Sequence, residues 1–250
     1  MTSRILILGG STEGFRLAQL LASSRRFEPL TSFAGVTKTR RVVAGASRVG
    51  GFGGAEGLRD FMHTENIAAL IDATHPFAST MKTNAQKAAQ MANIPCIHIL
   101  RPQWTPQKGD NWIMVNDMDE AAAAIAQDAS PTFLTIGRTE LAPFAARRDI
   151  TFLARVIDAP DNRDGFAHLE LVLARGPFDL ETDMAFFKTR RIACVVSKNS
   201  GGEAAASKLV CARKLGIPVI MVARPRPPEG KIVQTPAQAI KWLEAQFHDA

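Results

Sequence analysis

The feature that most constrains this chain is a regular alternation of short, continuously apolar runs with longer amphipathic stretches. The runs Arg4–Leu8, Pro29–Phe33, Ala68–Asp72, Cys96–Leu100, Thr132–Ile136, Thr151–Val156, Leu169–Leu173, Ile192–Ser197 and Val219–Ala223 read as strands. Helical stretches lie between them at Thr12–Ser23, Ala55–Thr64, Ala78–Asn93, Met118–Gln127, Glu140–Ala146, Leu180–Lys188, Glu203–Leu215 and Ala237–Phe247. Strands that are apolar without alternation are buried on both faces, the mark of a parallel sheet covered by crossover helices. The fold class is therefore α/β with parallel sheets.

The pattern is also written twice. Asn93-Ile-Pro-Cys-Ile-His-Ile-Leu-Arg-Pro102 aligns without a gap with Gly216-Ile-Pro-Val-Ile-Met-Val-Ala-Arg-Pro225. Both begin with a residue suited to a left-handed helix cap and leave the strand through Arg-Pro. Ile7-Leu-Gly-Gly-Ser-Thr-Glu13 likewise resembles Leu134-Thr-Ile-Gly-Arg-Thr-Glu140, and each half closes with a strand and a helix, near Val115–Gln127 and Val233–Phe247. Three matches in one order indicate an internal duplication. The boundary is expected near Asp128–Pro131, giving domains 1–129 and 130–250.

Composition narrows the function. Cys96, Cys194 and Cys211 are odd in number, far apart and set among apolar residues, so free thiols in a reducing compartment are expected, with no metal site. No transmembrane-length run or cleavage site is present, which makes the cytoplasm the expected location. The net charge of +6 suits a polyanionic small molecule. Scattered basic residues without a basic helix or aromatic motif disfavour nucleic acid. Tyrosine is absent, which excludes a Tyr-x-x-x-Lys mechanism, and no nucleophile elbow appears.

In the first half, Gly9, Gly10, Ser11, Thr12, Glu13 and Gly14 stand where the first strand turns into a helix. Glycines there allow close approach of a phosphate, and the helix start favours a pyrophosphate. A merely capped helix start is the alternative. NAD sites carry an acid after the second strand, yet no acid lies between Glu28 and Glu56. A basic loop, Gly35-Val-Thr-Lys-Thr-Arg-Arg41, follows instead, so the extra phosphate of NADPH is expected on Arg40, with Lys38 and Arg41 behind it. A solvated basic loop is the other reading. Gly51, Phe52, Gly53 and Gly54, then Thr74 and His75, are placed to reach the dinucleotide. His75 is a candidate proton donor, since imidazole titrates near neutrality, or a structural residue.

In the second half, Arg138 enters the turn and the closing glycine becomes Leu141, which suits a carboxylate better than a dinucleotide. Val196-Ser-Lys-Asn-Ser-Gly-Gly202 forms an anion-binding turn after its strand, and Arg155, Arg175, Lys208 and Arg224 lie at strand ends or helix starts.

These residues resemble the precorrin-6A reductase family of cobalamin biosynthesis. The matching segments include Leu6-Ile-Leu-Gly-Gly-Ser-Thr-Glu-Gly14, Gly50-Gly-Phe-Gly-Gly-Ala-Glu-Gly57, Asp72-Ala-Thr-His-Pro-Phe-Ala78 and Arg101-Pro-Gln-Trp104. Thr135-Ile-Gly-Arg-Thr-Glu140, Arg175-Gly-Pro-Phe178 and Ser197-Lys-Asn-Ser-Gly-Gly202 continue the match. The resemblance implies two Rossmann-like domains around a cleft that holds the active site, and NADPH-dependent reduction of a carbon–carbon double bond. The implied substrate is a polycarboxylate tetrapyrrole, precorrin-6A, and the product precorrin-6B. It further implies that Arg138, Thr139, Lys198, Asn199, Ser200, Lys208 and Arg224 receive the substrate carboxylates. Ala204-Ala-Ala206 departs from the polar residues expected there. A monomer is expected. The rivals are a cobalt-precorrin-6A reductase, a non-catalytic dinucleotide-binding module, and a methyltransferase, which also usually wants an acid after the second strand.

Overall fold

The computed structural model describes residues 2–35 and 42–248. In chain order it runs through β1 (Ser3–Leu8), α1 (Thr12–Ala22), β2 (Phe27–Phe33), β3 (Ala46–Val49), α2 (Ala55–Thr64), β4 (Ile67–Asp72), α3 (Ser79–Ala92) and β5 (Cys96–Ile99). It continues with β6 (Trp112–Val115), α4 (Met118–Ala123), β7 (Thr132–Thr135), β8 (Phe152–Val156) and β9 (Leu169–Leu173). The remaining elements are α5 (Leu180–Thr189), β10 (Cys194–Lys198), α6 (Ser207–Leu215), β11 (Val219–Val222), β12 (Lys231–Val233) and α7 (Pro236–Gln246).

The strands form two separate six-stranded sheets, ordered β12-β5-β4-β1-β2-β3 and β6-β11-β10-β7-β8-β9. All pairings between neighbours are parallel. The first sheet thus follows the doubly wound order 3-2-1-4-5-6, with its first strand β1 central and the carboxyl end of β1 at the point where strand order reverses; the second sheet repeats that order when counted from β7, with β6, its first strand in the chain, at the margin.

The division of the chain differs from the expected 1–129 and 130–250. One compact unit comprises Met1–Pro102 with Pro225–Ala250, and the other Gln103–Arg224. The reason is an exchange of closing elements. β6, which follows β5 in sequence, pairs with β11 in the second sheet, while β12 pairs with β5 in the first. Both crossings fall in the repeated Arg-Pro segments.

Within the first unit, the two faces of the sheet bury different residues of the same strands. Ile5 and Ile7 pack with Ala69, Ile71, Leu17, Leu21, Trp242 and Leu243, so α1 and α7 cover one face. Leu6 and Leu8 pack with Leu30, Leu70, Leu58, Met62 and Ala88, so α2 and α3 cover the other. Each such Leu or Ile side chain removed from water stabilises the unit by roughly 1.5–3 kcal/mol. In the second unit Phe133, Leu153, Val195 and Met221 bury against Phe187, Leu209 and Ala212 of α5 and α6. Asn93 and Gly216 end α3 and α6 in the left-handed conformation, with φ of 54° and 68°. Both caps match the sequence expectation.

Two expected helices are broken. The stretch after β7 forms short 3-10 segments, Arg138–Glu140 and Ala142–Ala146, because Pro143 withholds a backbone donor. Before α6, Glu203–Ala205 is a separate 3-10 turn.

Candidate functional site

In the first unit the site is built at the carboxyl end of β1. Gly9 donates its N–H to the Ser32 carbonyl at 2.9 Å, which ties the turn to β2. A Cβ on Gly9 would meet Thr31 Cγ2 at 2.8 Å, so a side chain there has no room. Gly10 has φ of +115° with open space where its Cβ would stand, leaving the main chain approachable. Ser11 caps α1: its Oγ accepts from Gly14 N at 3.1 Å and donates to the Ala73 carbonyl at 2.6 Å. A Cβ on Gly14 would lie 3.3 Å from Ala73 Cβ, so glycine lets α1 sit against the loop after β4. The Glu13 carboxylate pairs with Arg101 at 2.9 Å. Thr12 is exposed, and with Phe15, Arg16, Gln19 and Val42–Ala44 it lines a cavity of about 560 Å³.

Gly51, Phe52, Gly53 and Gly54 form the turn from β3 into α2, and Gly53 and Gly54 have φ of +79° and +101°. Gly57 is required here, because a Cβ would collide with the Phe52 carbonyl oxygen. Thr74 and His75 follow β4, so the expected cofactor residues within the described chain lie at the carboxyl ends of β4, β1 and β3 of one sheet. Lys38, Arg40 and Arg41 lie outside the described residues.

Sequence reasoning misses a buried ionic cluster beneath Thr74. Asp72 Oδ1 accepts from Thr74 N at 2.9 Å and from Thr74 Oγ1 at 2.6 Å. Its Oδ2 accepts from Lys82 Nζ at 3.0 Å and from His98 Nδ1 at 2.8 Å. The Gln86 amide oxygen lies 3.3 Å from His98 Nε2. Burial pushes the Asp72 carboxyl up, but the His98 hydrogen bond, the Lys82 charge and the Thr74 bond outweigh it and hold the pKa at about 2. Asp72 is thus an anion that fixes the turn carrying His75. The His75 ring accepts the Phe77 N–H on Nδ1 at 3.3 Å, so the proton of the neutral imidazole sits on Nε2. The sequence signal was available: Lys82 shares the apolar stripe of α3 with Ala85 and Ala89, and His98 stands between Ile97 and Ile99.

In the second unit the corresponding ends carry basic and polar side chains. Glu140 Oε2 accepts from Gly137 N at 2.8 Å and pairs with Lys198 Nζ at 2.7 Å, so a carboxylate of the chain already sits on this turn. Arg138 donates to the Ala159 carbonyl at 3.1 Å and faces Asp161 at 3.3 Å, while Thr139 is exposed. Asn199 and Ser200 are buried. The Asn199 amide accepts from Trp104 N at 2.8 Å and donates to the Trp104 carbonyl at 3.0 Å, tying the chain after Gln103 to the loop after β10. Arg224 donates to the carbonyls of Asn199 and Ser200, at 3.2 and 2.9 Å. Lys208 is buried with Nζ 5.3 Å from the centre of the Trp104 ring. Arg155, read as a possible ligand residue, is instead a buried brace: it pairs with Asp183 at 2.6 Å and stacks on Phe178 at 4.3 Å. Among the described residues no group of three or more His, Cys, Asp or Glu side chains is placed to hold a metal ion, and no helix is long and apolar enough to cross a membrane.

The profile of the family described as Precorrin-6x reductase CbiJ/CobK matches residues 4–244. The chain belongs to the precorrin-6x reductase family. A precorrin-6A reductase of Rhodococcus erythropolis is 42% identical over 96% of this chain and 97% of its own. A solved structure named CobK precorrin-6A reductase superimposes with a TM-score of 0.93 at 39% identity, covering 98% of both chains. A cobalt-precorrin-6A reductase of Priestia megaterium is 30% identical over 76% of this chain and 78% of its own. For a precorrin-6x reductase, two doubly wound units with a glycine turn on one and basic loops on the other form a consistent set of parts.

Proposed function

We propose that this chain reduces a carbon–carbon double bond of precorrin-6A, with NADPH as reductant, to give precorrin-6B. The observation that carries the reading is the β1–α1 turn in a chain akin to precorrin-6A reductases. Its Gly10 main chain is open and its helix is capped by Ser11 from within, leaving the first turn suited to a pyrophosphate. The residues fit the dinucleotide: Gly9–Gly14 would take the pyrophosphate, and the Gly51–Gly54 turn and the Thr74–His75 loop would flank it.

When bound, the dinucleotide supplies the hydride, and a proton reaches the neighbouring carbon. This chain's own part is orientation. Arg138, Thr139, Lys198, Lys208 and Arg224 supply donors and positive charge for the substrate's carboxylates, while Asn199 and Ser200 shape the loop that carries them. Holding two reactants in register is worth roughly 7–11 kcal/mol. His75 keeps a proton on Nε2 and is the chain's candidate donor.

The likeness to the Rhodococcus relative exceeds that to the cobalt-named one, which favours the metal-free substrate. Anaerobic assays following NADPH absorbance with precorrin-6A and cobalt-precorrin-6A test the reading. Faster oxidation with the metal-free macrocycle is expected. Cofactor binding without consumption on either would leave a binding module. Arg138→Ala should raise KM for the macrocycle about tenfold, the loss of one charge-assisted contact, with NADPH affinity unchanged. Weakened NADPH binding instead would contradict this division of labour.

A further inference from the structure

In a doubly wound sheet, the residue at the carboxyl end of the second strand stands beside the cofactor's adenosine ribose, and in NAD sites it is an acid. Ser32 holds that place here. It lies next to the glycine turn, since its carbonyl accepts the Gly9 N–H at 2.9 Å. In the β2–β3 register Ser32 stands opposite Arg48. Arg48 Nη1 donates to Ser32 Oγ at 2.8 Å and to the Gly50 carbonyl at 3.0 Å, and Nη2 donates to the Gly51 carbonyl at 3.1 Å. The guanidinium also stacks on Phe52 and Phe61, at 4.2 and 4.9 Å from their ring centres. A cation is therefore locked by three hydrogen bonds and two rings at the position where an NAD site has an anion.

A guanidinium has five N–H groups, and three of those on Arg48 reach acceptors among the described residues. Nε and one Nη2 hydrogen remain for a planar, fork-like contact, the geometry that arginine uses with phosphate. The groups around it are three neutral oxygens (Ser32 Oγ and the two carbonyls) and two rings, and among the described residues no carboxylate contacts it, so its charge is not cancelled locally. The side chain is half-buried, where an ion pair is screened less than at an exposed site.

We propose that Arg48 is a specificity-determining residue that receives the 2′-phosphate of the adenosine ribose, so that the Ser32–Arg48 pair selects NADPH over NADH. This rests on the NADPH reading above and names a contact within it. The cation sits on the structured end of β3, held before any ligand arrives.

The test is a fluorescence titration of the full-length protein with NADPH and NADH, with adenosine 2′,5′-bisphosphate and AMP as competitors. Arg48→Gln keeps a polar group with two N–H donors but removes the charge; Arg48→Lys keeps the charge. Arg48→Gln should weaken NADPH and the bisphosphate roughly tenfold to a hundredfold while NADH and AMP change less than about twofold. Arg48→Lys should recover part of the loss. Equal losses for NADPH and NADH would make Arg48 a brace of the glycine turn and overturn the proposal. So would unchanged NADPH binding in Arg48→Gln alongside a loss in Arg40→Ala, which would put the phosphate on the 36–41 segment. A wild-type protein that binds NADH as tightly as NADPH would instead sink the cofactor reading itself.

Discussion

Replacing Lys82 with Met tests the buried cluster under the Thr74–His75 turn. The substitution keeps an unbranched apolar stem in a position that is 3% exposed and removes the cation 3.0 Å from Asp72. Deleting one partner of a buried pair costs about 3–5 kcal/mol, because the remaining charge is stranded. A second route gives a smaller figure: lowering the Asp72 pKa from 3.8 to about 2 corresponds to about 2.5 kcal/mol. That smaller value is what remains after burial has opposed the partners, so the loss on removing Lys82 should lie near 3 kcal/mol. At about 2–4 °C per kcal/mol, the thermal transition of the first unit should fall by roughly 6–12 °C. The sign of the pH dependence follows from the lowered pKa. The contribution is fully present above pH 3.8 and is lost as pH falls through about 2. In Lys82→Met the carboxyl has fewer partners and takes up its proton at higher pH, so the stability gap should begin to close on mild acidification. Urea melts at pH 7 and about pH 3.5 read both effects, and Asp72→Asn in the Lys82→Met background should recover part of the loss. A Lys82→Met protein that melts within about 1 °C of wild type, or a gap equal at both pH values, would refute the reasoning.

Two further outcomes are expected. Gly57→Ala must displace the Phe52 carbonyl, so it should lower both the melting temperature and NADPH affinity, whereas Gly53→Ala has open space and should cost only the roughly 1 kcal/mol of a positive φ. Burial pushes the Cys194 and Cys211 thiols up to about 11, and burial with the nearby Asp72 charge pushes Cys96 up to about 12. Alkylation at pH 8 should therefore be slow in the folded protein and follow the urea unfolding curve; rapid labelling of native protein would contradict the burial assigned here.

Most of the framework was legible because central strands of a parallel sheet must be apolar on both faces. Runs such as Ile5–Leu8 and Val219–Val222 announce themselves by that rule. The strands that escaped a clear reading are short edges. β3 is Ala-Ser-Arg-Val, paired on one side only, and β6 and β12 likewise lie at sheet margins. A one-sided strand does not need a full apolar run. The domain boundary was missed because local patterning cannot say which sheet a margin strand joins. Only the repeated Arg101-Pro102 and Arg224-Pro225 marked the crossings. Of the site, the glycine turn was readable because each glycine answers a backbone demand. Lys82 and His98 stood out only as polar residues in apolar settings and Arg48 not at all, since what they do depends on partners 10, 26 and 16 residues away.

The exchanged margin strands also impose an order on synthesis. Residues 103–224 are one uninterrupted stretch and can finish their sheet while the ribosome is still adding the rest. The unit that begins first must wait with the β5 edge bare until Lys231–Val233 emerges, and with one face covered by α1 alone until Pro236–Gln246 follows. Nascent chains stopped before residue 231 should therefore carry a protease-resistant inserted unit beside an unfinished host.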